Sequence, residues 1–284
     1  MAGRLSVVAT PIGNLEDITL RAVRTLRECD GVLAEDTRRT RGLLAHLGLD
    51  KPVRALHAHS PQAHVDRWLD ALAGGAHFAL VTDAGTPLVS DPGQAMVRGA
   101  RERGIAVETV PGPSALTAAL AVAGVVAPAF RFVGFLPRKG RKREERIAAI
   151  ARDDDATVLF ESPERLGRTL GDLVAAGAGQ REGAVCRELT KLHEEVVRGP
   201  LDALAARYAD APARGEITLV VGARDVAREA SEDELEARAE LARTRAREMA
   251  EEGHSTKDIA KALEDELGLA HRDAYALALV ARGD

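Results

Sequence analysis

The chain has 284 residues, a hydrophobic content of 45%, a charged content of 29% and a formal net charge of −5, a composition typical of a globular protein with about two domains. No apolar run approaches the roughly 20 residues that span a bilayer, and the N-terminal run in MAGRLSVVATPIG is too short for a signal peptide. The two cysteines, Cys29 and Cys186, fit a reduced compartment and have no metal-binding spacing. We therefore expect a cytoplasmic protein without membrane association.

The first part of the chain alternates short β-branched runs with helical patterns. Strands are predicted at LSVVA, GVLA, PVRAL, HFALVT and IAVETV, and helices near 19–28, 38–47, 64–73, 94–103 and 114–123. This alternation predicts βαβ units with a mostly parallel sheet. The small-residue stretch Gly124–Pro128 indicates a boundary, so we expect a first α/β domain over 1–124.

A second α/β domain is predicted over 125–228. Its strands are FRFVGF, ATVLFES, GAVCREL, EEVVRG and EITLVVG, and its helices lie near 142–152, 164–176 and 200–208. The strands cluster toward its end, which favours a mixed sheet. From Ser231 onward the pattern is helical, so residues 229–284 are expected to form a helical appendix, with a capping box at Ser255–Asp258.

The charge differs between these parts. Residues 225–284 carry 9 basic and 16 acidic side chains, whereas residues 1–224 carry 30 basic and 28 acidic ones. The net negative charge of the whole chain argues weakly against nonspecific nucleic-acid binding, but it does not exclude an RNA partner for the first part. The acidity of the appendix favours a protein contact, with an RNA contact as the alternative.

The loop Val81–Gly93, VTDAGTPLVSDPG, follows an apolar strand and contains two glycines, two prolines and two aspartates. Glycine permits positive φ and close backbone approach, and proline fixes φ. An ordinary strand-to-helix turn needs only roughly 2–6 residues. A long, polar loop at the end of a strand is where α/β folds bind ligands, so we interpret it as a ligand loop.

Several familiar site motifs are absent. The chain has no G-x-G-x-x-G after its first strand, no G-x-x-x-x-G-K-[ST] and no G-x-S-x-G, which lowers the likelihood of a nicotinamide dehydrogenase, a P-loop NTPase or a serine hydrolase. His57, His59 and His64 invite a metal interpretation, but a partly solvated loop is favoured and no metal is expected.

Seven ordered segments point to a family. TPIGNLEDIT, AEDTRRT, TDAGTPLVSDPG, VPGPSA, FVGFLPRKG, ESPER and RELTK resemble the small-subunit ribosomal RNA 2′-O-cytidine methyltransferases of the tetrapyrrole-methylase superfamily. The resemblance covers about residues 5–222, and HSTKDIAKAL extends it into the tail. It implies an α/β protein with two domains of tetrapyrrole-methylase type, a homodimer, S-adenosylmethionine in the cleft between the domains, and 16S ribosomal RNA in the small subunit as substrate, with the cytidine in the decoding region.

The resemblance also implies site residues. The predicted cofactor-binding residues are Ile12, Asp83, Gly85, Thr86, Val89, Ser114, Ala115, Phe160 and Leu189. Candidates for a general base are Asp83, Glu161 and Lys191, and the reaction may equally use none of them. The basic segment Arg138, Lys139, Arg141, Lys142, Arg143 and Arg146 is predicted to contact RNA phosphates, the alternative being a solvated helix start.

Two positions depart from the family pattern, namely His57–Pro61, where a His-Asn-Glu type motif is usual, and Glu164, where histidine is usual. Glu35 and Asp36 are either a helix N-cap pair or site residues. Because a fold does not determine a substrate, a tetrapyrrole or other small-molecule methylase on the same fold remains an alternative. A ribosome assembly factor without catalysis is another.

Overall fold

The computed structural model describes residues 3–57, 60–209, 213–224 and 232–283. The chain forms two compact units, residues 1–224 and residues 225–284. The first unit contains two β-sheets, and the second is helical. Within the described residues, no helix has both the length and the apolar character needed to cross a membrane.

The first sheet has five parallel strands in the order β3-β2-β4-β1-β5. Its strands are β1 (Arg4–Val8), β2 (Gly31–Ala34), β3 (Val53–Ala55), β4 (His77–Leu80) and β5 (Ala106–Val110). The helices that connect them are α1 (Leu20–Glu28), α2 (Thr37–His46), α3 (Gln62–Ala73) and α4 (Gln94–Glu102). The predicted parallel sheet is confirmed. Strands such as GVLA are buried along their whole length, which explains why their sequences are continuously apolar.

The second sheet is mixed, as predicted, in the order β6-β7-β10-β8-β9. Its strands are β6 (Phe130–Phe135), β7 (Ala156–Glu161), β8 (Glu182–Arg187), β9 (Glu195–Pro200) and β10 (Ile217–Val221). Only β6 and β7 pair in parallel; the other three pairings are antiparallel. The helices of this part are α5 (Ala115–Ala123), α6 (Arg141–Arg152), α7 (Pro163–Leu173) and α8 (Leu201–Arg207).

Helices cover both faces of each sheet. Leu26 of α1 packs with Leu44 of α2 on one face of the first sheet, and α3 and α4 cover the other face. The second sheet carries α6, α7 and α8 on one face and α5 on the other, where Ala119 and Ala123 contact strand residues such as Val158. Because α5 follows β5 directly, its small side chains join the two halves of the first unit at close range.

One predicted helix is too long. The pattern predicted a helix over 164–176, but α7 ends at Leu173 and a π-helical turn follows over Val174–Ala178, where Gly177 has a φ of 95°. A residue with positive φ interrupts helical geometry, and glycine adopts it without steric cost. The two thiols, Cys29 and Cys186, are buried and free.

Over residues 232–283, the second unit contains the helices α9 (Glu232–Glu251), α10 (Thr256–Leu267) and α11 (His271–Arg282). Their shared core is aliphatic and includes Ala242, Ile259 and Ala274. The predicted capping box is present, because Ser255 Oγ accepts the Asp258 N–H at 3.2 Å and begins α10. The helical appendix is therefore confirmed, while the predicted boundaries at 124 and 228 stay predictions.

Candidate active site

A cavity of about 390 Å³ lies between the two sheets of the first unit, at the ends of β1, β4, β5 and β7. Small-molecule sites typically enclose roughly 300–1,000 Å³. All nine residues predicted to bind the cofactor line this cavity: Ile12, Asp83, Gly85, Thr86, Val89, Ser114, Ala115, Phe160 and Leu189. The tertiary structure thus brings five separate sequence segments to one place.

Hydrogen bonds hold three of these segments together. Thr10 and Gly85 exchange backbone N–H···O bonds of 2.9 and 3.0 Å, and the Thr10 hydroxyl donates to Thr82 O at 3.1 Å. The Thr86 hydroxyl donates to Pro113 O at 3.2 Å. Gly85 has a φ of 83°, which favours glycine. The loops after β1, β4 and β5 therefore form one interlocked wall.

Backbone strain is concentrated in two loops beside the cavity. Among the described residues, the non-glycine residues with positive φ are Leu88, Ser90, Glu188 and Thr190. Such conformations cost of order 1–3 kcal/mol each and cluster at functional sites. Thr190 Oγ1 accepts the Asn14 N–H at 3.0 Å, so the strained loop of the second sheet is anchored to the loop that follows β1.

The opposite wall is aromatic and apolar. The rings of Phe135 and Phe160 lie 5.6 Å apart between centroids, and Phe135 remains 57% exposed. Ser114 and Ala115 are at the start of α5, and the Ser114 side chain forms no cap hydrogen bond. Since the first N–H groups of a helix have no partner within the helix, the cavity has backbone donors at Ser114 and Ala115 in addition to the flat apolar surface at Phe135 and Phe160.

Two carboxyl groups near this cavity have raised pKa values, and the sequence analysis did not select Asp91. Partial burial raises the pKa of Asp91 to about 6, against a hydrogen bond from Thr82 that lowers it, and the charges of Glu35 and Asp83 raise it further. The pKa of Glu35 is also raised, by burial first and by Asp83 second. Asp91 lies in the predicted ligand loop and lines the cavity. Its position in that loop was the sequence signal that could have identified it as a site residue.

Glu35 and Asp36 have different roles. Asp36 is the N-cap of α2, and its Oδ1 accepts the N–H of Arg38 at 2.8 Å, which confirms the cap interpretation for this residue. The Asp36 N–H donates to Asp83 Oδ1 at 2.9 Å. Asp83 is thereby held at the edge of the cavity by the beginning of α2.

The structure argues against Glu161 as a base. Its side chain is fully buried, and Oε1 accepts the Ser162 N–H at 2.8 Å and pairs with Arg165. Oε2 accepts from the Thr169 hydroxyl at 2.7 Å. Because both oxygens are already engaged, Glu161 lines the cavity as a structural group that anchors the end of β7.

The structure also argues against Lys191 as a base. Its ammonium lies 2.8 Å from Glu188 Oε1 and 3.0 Å from Glu216 Oε2. Burial lowers the pKa of Lys191, but the hydrogen bonds to Glu188 and Glu216 outweigh burial and leave this pKa above its ordinary value. An amine that is protonated at neutral pH is not a base there, and Lys191 lines a second, adjacent cavity and not the first.

One member of the basic segment is misassigned. Arg143 is 2% exposed, and its guanidinium donates to Asp172 Oδ2 at 2.8 and 3.0 Å and to the Thr169 hydroxyl at 3.0 Å. A buried, fully paired arginine is not free to contact RNA, so that prediction was wrong. The other members are exposed: Arg138, Lys139, Arg141, Lys142 and Arg146.

His57, His64 and Glu164 do not line the first cavity. The His57 N–H donates to Ser60 Oγ at 2.9 Å, and Glu164 is in the first turn of α7. Across the described ranges, no group of three or more His, Cys, Asp or Glu residues is placed to hold a metal ion. His59 lies outside the described residues.

Comparison with known proteins agrees with this architecture. The family model of the Tetrapyrrole (Corrin/Porphyrin) Methylases matches residues 4–205. Among solved structures, uroporphyrin-III C-methyl transferase from Thermus thermophilus, complexed with S-adenyl homocysteine, has a TM-score of 0.56 and 23% identity over 80% of this chain and 99% of that one. The methyltransferase CobJ has a TM-score of 0.59 and 19% identity over 78% and 94%. These likenesses show a shared fold.

Curated relatives have a higher sequence identity to this chain than these solved structures have. Ribosomal RNA small subunit methyltransferase I of Xylella fastidiosa is 45% identical over 226 residues, 78% of this chain and 83% of that protein. The protein of the same name from Synechocystis sp. is 38% identical over 282 residues, 99% of each chain. The match to the Synechocystis protein covers 99% of this chain and therefore extends over the helical second unit. The chain therefore belongs to the ribosomal RNA small subunit methyltransferase I family, within the tetrapyrrole methylases.

Proposed function

We propose that this protein transfers a methyl group from S-adenosylmethionine to the 2′-hydroxyl of a cytidine in the decoding region of small-subunit ribosomal RNA. The observation that carries the proposal is the single cavity lined by all nine predicted cofactor-binding residues, in a chain whose relatives are named ribosomal RNA small subunit methyltransferase I. Activity in the cytoplasm, where small subunits are found, is part of the proposal.

The cavity wall suits the proposed cofactor. The aromatic surface at Phe135 and Phe160 fits a purine ring, which prefers stacked or edge contacts with aromatic side chains. The start of α5 at Ser114 and Ala115 fits a carboxylate, because a helix N-terminus favours negative charge. The backbone at Gly85 is able to approach a ligand closely. When bound, S-adenosylmethionine supplies a methyl group on a positively charged sulfur.

The main task of the protein is then to position the acceptor hydroxyl. Positioning alone lowers a barrier by roughly 7–11 kcal/mol, and the interlocked loops at Thr10, Gly85 and Pro113 provide a rigid frame for it. A base that takes the hydroxyl proton adds roughly 10²–10⁴-fold. Asp91 suits that role better than Asp83, because its pKa of about 6 leaves it ionised at neutral pH yet more basic than an ordinary aspartate.

The exposed cations at the start of α6 support an RNA substrate. Five of the six basic residues of this segment remain exposed, and phosphate contacts by such residues supply much of the affinity for nucleic acid. Arg141 pairs with Glu145 at 2.7 Å, but both side chains are largely exposed. Exposed ion pairs contribute little stability, so this pair gives way to a phosphate at small cost.

A homodimer belongs to the proposal. Three large apolar side chains of one short segment are exposed, at 44% for Val122, 73% for Val126 and 47% for Phe130. Exposed apolar clusters typically mark interaction sites, and β6 is an edge strand. Closed two-fold dimers are the commonest soluble assembly. A second copy of the chain is therefore the proposed partner for this segment.

The test is to incubate purified small ribosomal subunits with the protein and methyl-labelled S-adenosylmethionine and to map the label. We expect one labelled cytidine, with the label on its ribose, and loss of labelling when Asp91 is replaced by asparagine. Label on a base, or label only on an added tetrapyrrole, would overturn the proposal. Cofactor binding without any transfer to subunits or to small molecules would favour the assembly-factor alternative.

A further inference from the structure

A second cavity, of about 400 Å³, adjoins the cofactor cavity. It is bounded by the loop after β1, the first half of α2 and Lys191, and it shares Ile12, Arg39, Asp83, Ala84 and Glu216 with the first cavity. A methyl acceptor has to reach the reacting carbon from the side that the cofactor leaves open. The shared wall places the second cavity at such an entrance.

Arg39 of α2 lines this cavity, and Arg38 and Arg41 of the same helix are exposed next to it without lining either cavity. The proposed function has not used these three arginines. The side chains of Arg38 and Arg39 are 88% and 58% exposed, and their nearest carboxylate oxygens lie 3.8 and 3.9 Å away. Arg41 is exposed and contacts the Thr37 hydroxyl at 3.4 Å. Exposed pairs at such distances are weak, so these guanidinium groups remain able to bind another anion.

The geometry of α2 keeps these charges outward. Thr40 and Leu44 form its buried face, and Arg38 and Arg41 are three residues apart, which places them side by side on a helix. Asp36, the nearest acidic residue, is engaged as the N-cap of α2. Across the cavity, the Lys191 ammonium is fixed by Glu188 and Glu216. Arg39 and Lys191 thus both line the second cavity, together with the carboxylates of Asp83 and Glu216.

We infer that the second cavity and the outward arginines of α2 bind the sugar–phosphate backbone of the RNA strand next to the acceptor nucleotide. The inference rests on the proposed function and adds a second contact region to the basic segment at the start of α6. Arginine suits this role because its planar guanidinium binds phosphate oxygens through two parallel hydrogen bonds. Arg39 lines both cavities, whereas Arg38 and Arg41 line neither and are placed to contact the strand outside the second cavity.

The test therefore uses the double variant Arg38→Ala/Arg41→Ala. Its matched control is Arg24→Ala/Arg27→Ala on α1, which removes the same charge at the same spacing from exposed positions of a helix with no residue in the lining of either cavity, whereas α2 contributes Arg39 to both. Binding to purified small subunits is measured across a salt series, methyl transfer is measured at varied subunit concentration, and cofactor affinity is measured by calorimetry.

Each phosphate contact contributes roughly 0.7–0.9 log units of affinity per tenfold change in salt. Loss of two contacts should therefore reduce the slope of log affinity against log salt concentration by roughly 1.4–1.8. It should also weaken subunit binding by about 25-fold or more near 0.1 M salt. The KM for subunits should rise accordingly, while kcat and cofactor affinity stay within a few-fold of the parent. Arg38→Lys/Arg41→Lys, which keeps the charge, should recover most of the salt slope.

A double alanine variant that is folded and has the same salt slope and KM as the Arg24→Ala/Arg27→Ala control would overturn the inference while leaving the proposed function intact. If the parent protein methylates a polycarboxylate small molecule and not the subunit, the proposed function fails, and the inference fails with it. The two failures are distinguished by the parent protein alone.

Discussion

Replacement of Asp91 by asparagine should make the protein more stable and less active. The side chain lies in the wall of the first cavity, the proposed cofactor site, where partial burial raises its pKa from 3.8 to about 6. Asparagine has nearly the same shape, retains an oxygen that accepts from Thr82, and carries no charge. The variant therefore removes the ionised group while preserving the packing around it.

The magnitude follows from the pKa difference between the folded and unfolded states. One pKa unit corresponds to about 1.36 kcal/mol, so a rise from 3.8 to about 6 destabilises the folded protein by at most about 3 kcal/mol when Asp91 is ionised. Solvent screening of this partly exposed group reduces the figure to about 1–2 kcal/mol. Because the folded pKa is raised, the protonated form favours folding, and that stability is lost as the pH rises through about 6.

Denaturant unfolding at several pH values tests the reasoning. The variant should exceed the parent by about 1–2 kcal/mol near pH 7.5, and the difference should shrink as the pH falls through about 6 toward about 4. Methyl transfer should fall by at least about 100-fold if Asp91 is the base, and parental activity should decline below about pH 6. Asp50→Asn, at an exposed position, is the control. A variant that is less stable than the parent at neutral pH would refute the argument.

Further predictions concern folding, the cofactor and assembly. Arg143→Met should destabilise the protein by about 3 kcal/mol by leaving Asp172 and Thr169 without their buried donor, whereas Lys142→Met should stay within about 0.5 kcal/mol; equal unfolding midpoints would contradict this difference. Gly85→Val should weaken cofactor binding in calorimetry and should also lower stability, because a Cβ there meets Ile12 at 3.2 Å with φ at 83°; parental affinity in a folded variant would contradict the placement. Light scattering should give twice the 30.2 kDa of one chain, and a monomer mass at micromolar concentration would exclude the dimer.

Much of the fold was predictable because its signals are local. Strands such as Gly31–Ala34 and Phe130–Phe135 lie where the apolar runs placed them, since a buried strand reads as a short β-branched run bounded by turn residues. The parallel first sheet and the mixed second sheet followed from the spacing of strands and helices. The misjudged end of α7 is a local exception, because the positive φ of Gly177 is not encoded in the apolar pattern.

Which residues line the first cavity was predictable from the sequence, whereas the ionisation of its carboxyl groups was not. The sequence motifs predicted residues that line the first cavity, but nothing in the motifs distinguishes Asp91 from Asp83. The raised pKa of Asp91 arises from burial first and then from the charges of Glu35 and Asp83. Likewise, Glu161 and Lys191 lose their suitability as bases through the partners Thr169 and Glu216, which the fold brings to 2.7 and 3.0 Å from them.

The basic segment shows the same division. The sequence by itself determined that cations are concentrated between residues 138 and 146, and that Arg143, Ile147 and Ile150 fall on one helical face. Only the tertiary structure decided that this face is buried against α7, where Asp172 and Thr169 take up the guanidinium of Arg143. Composition and periodicity are properties of neighbouring residues, whereas the burial and pairing of a charge depend on which distant segment packs against it.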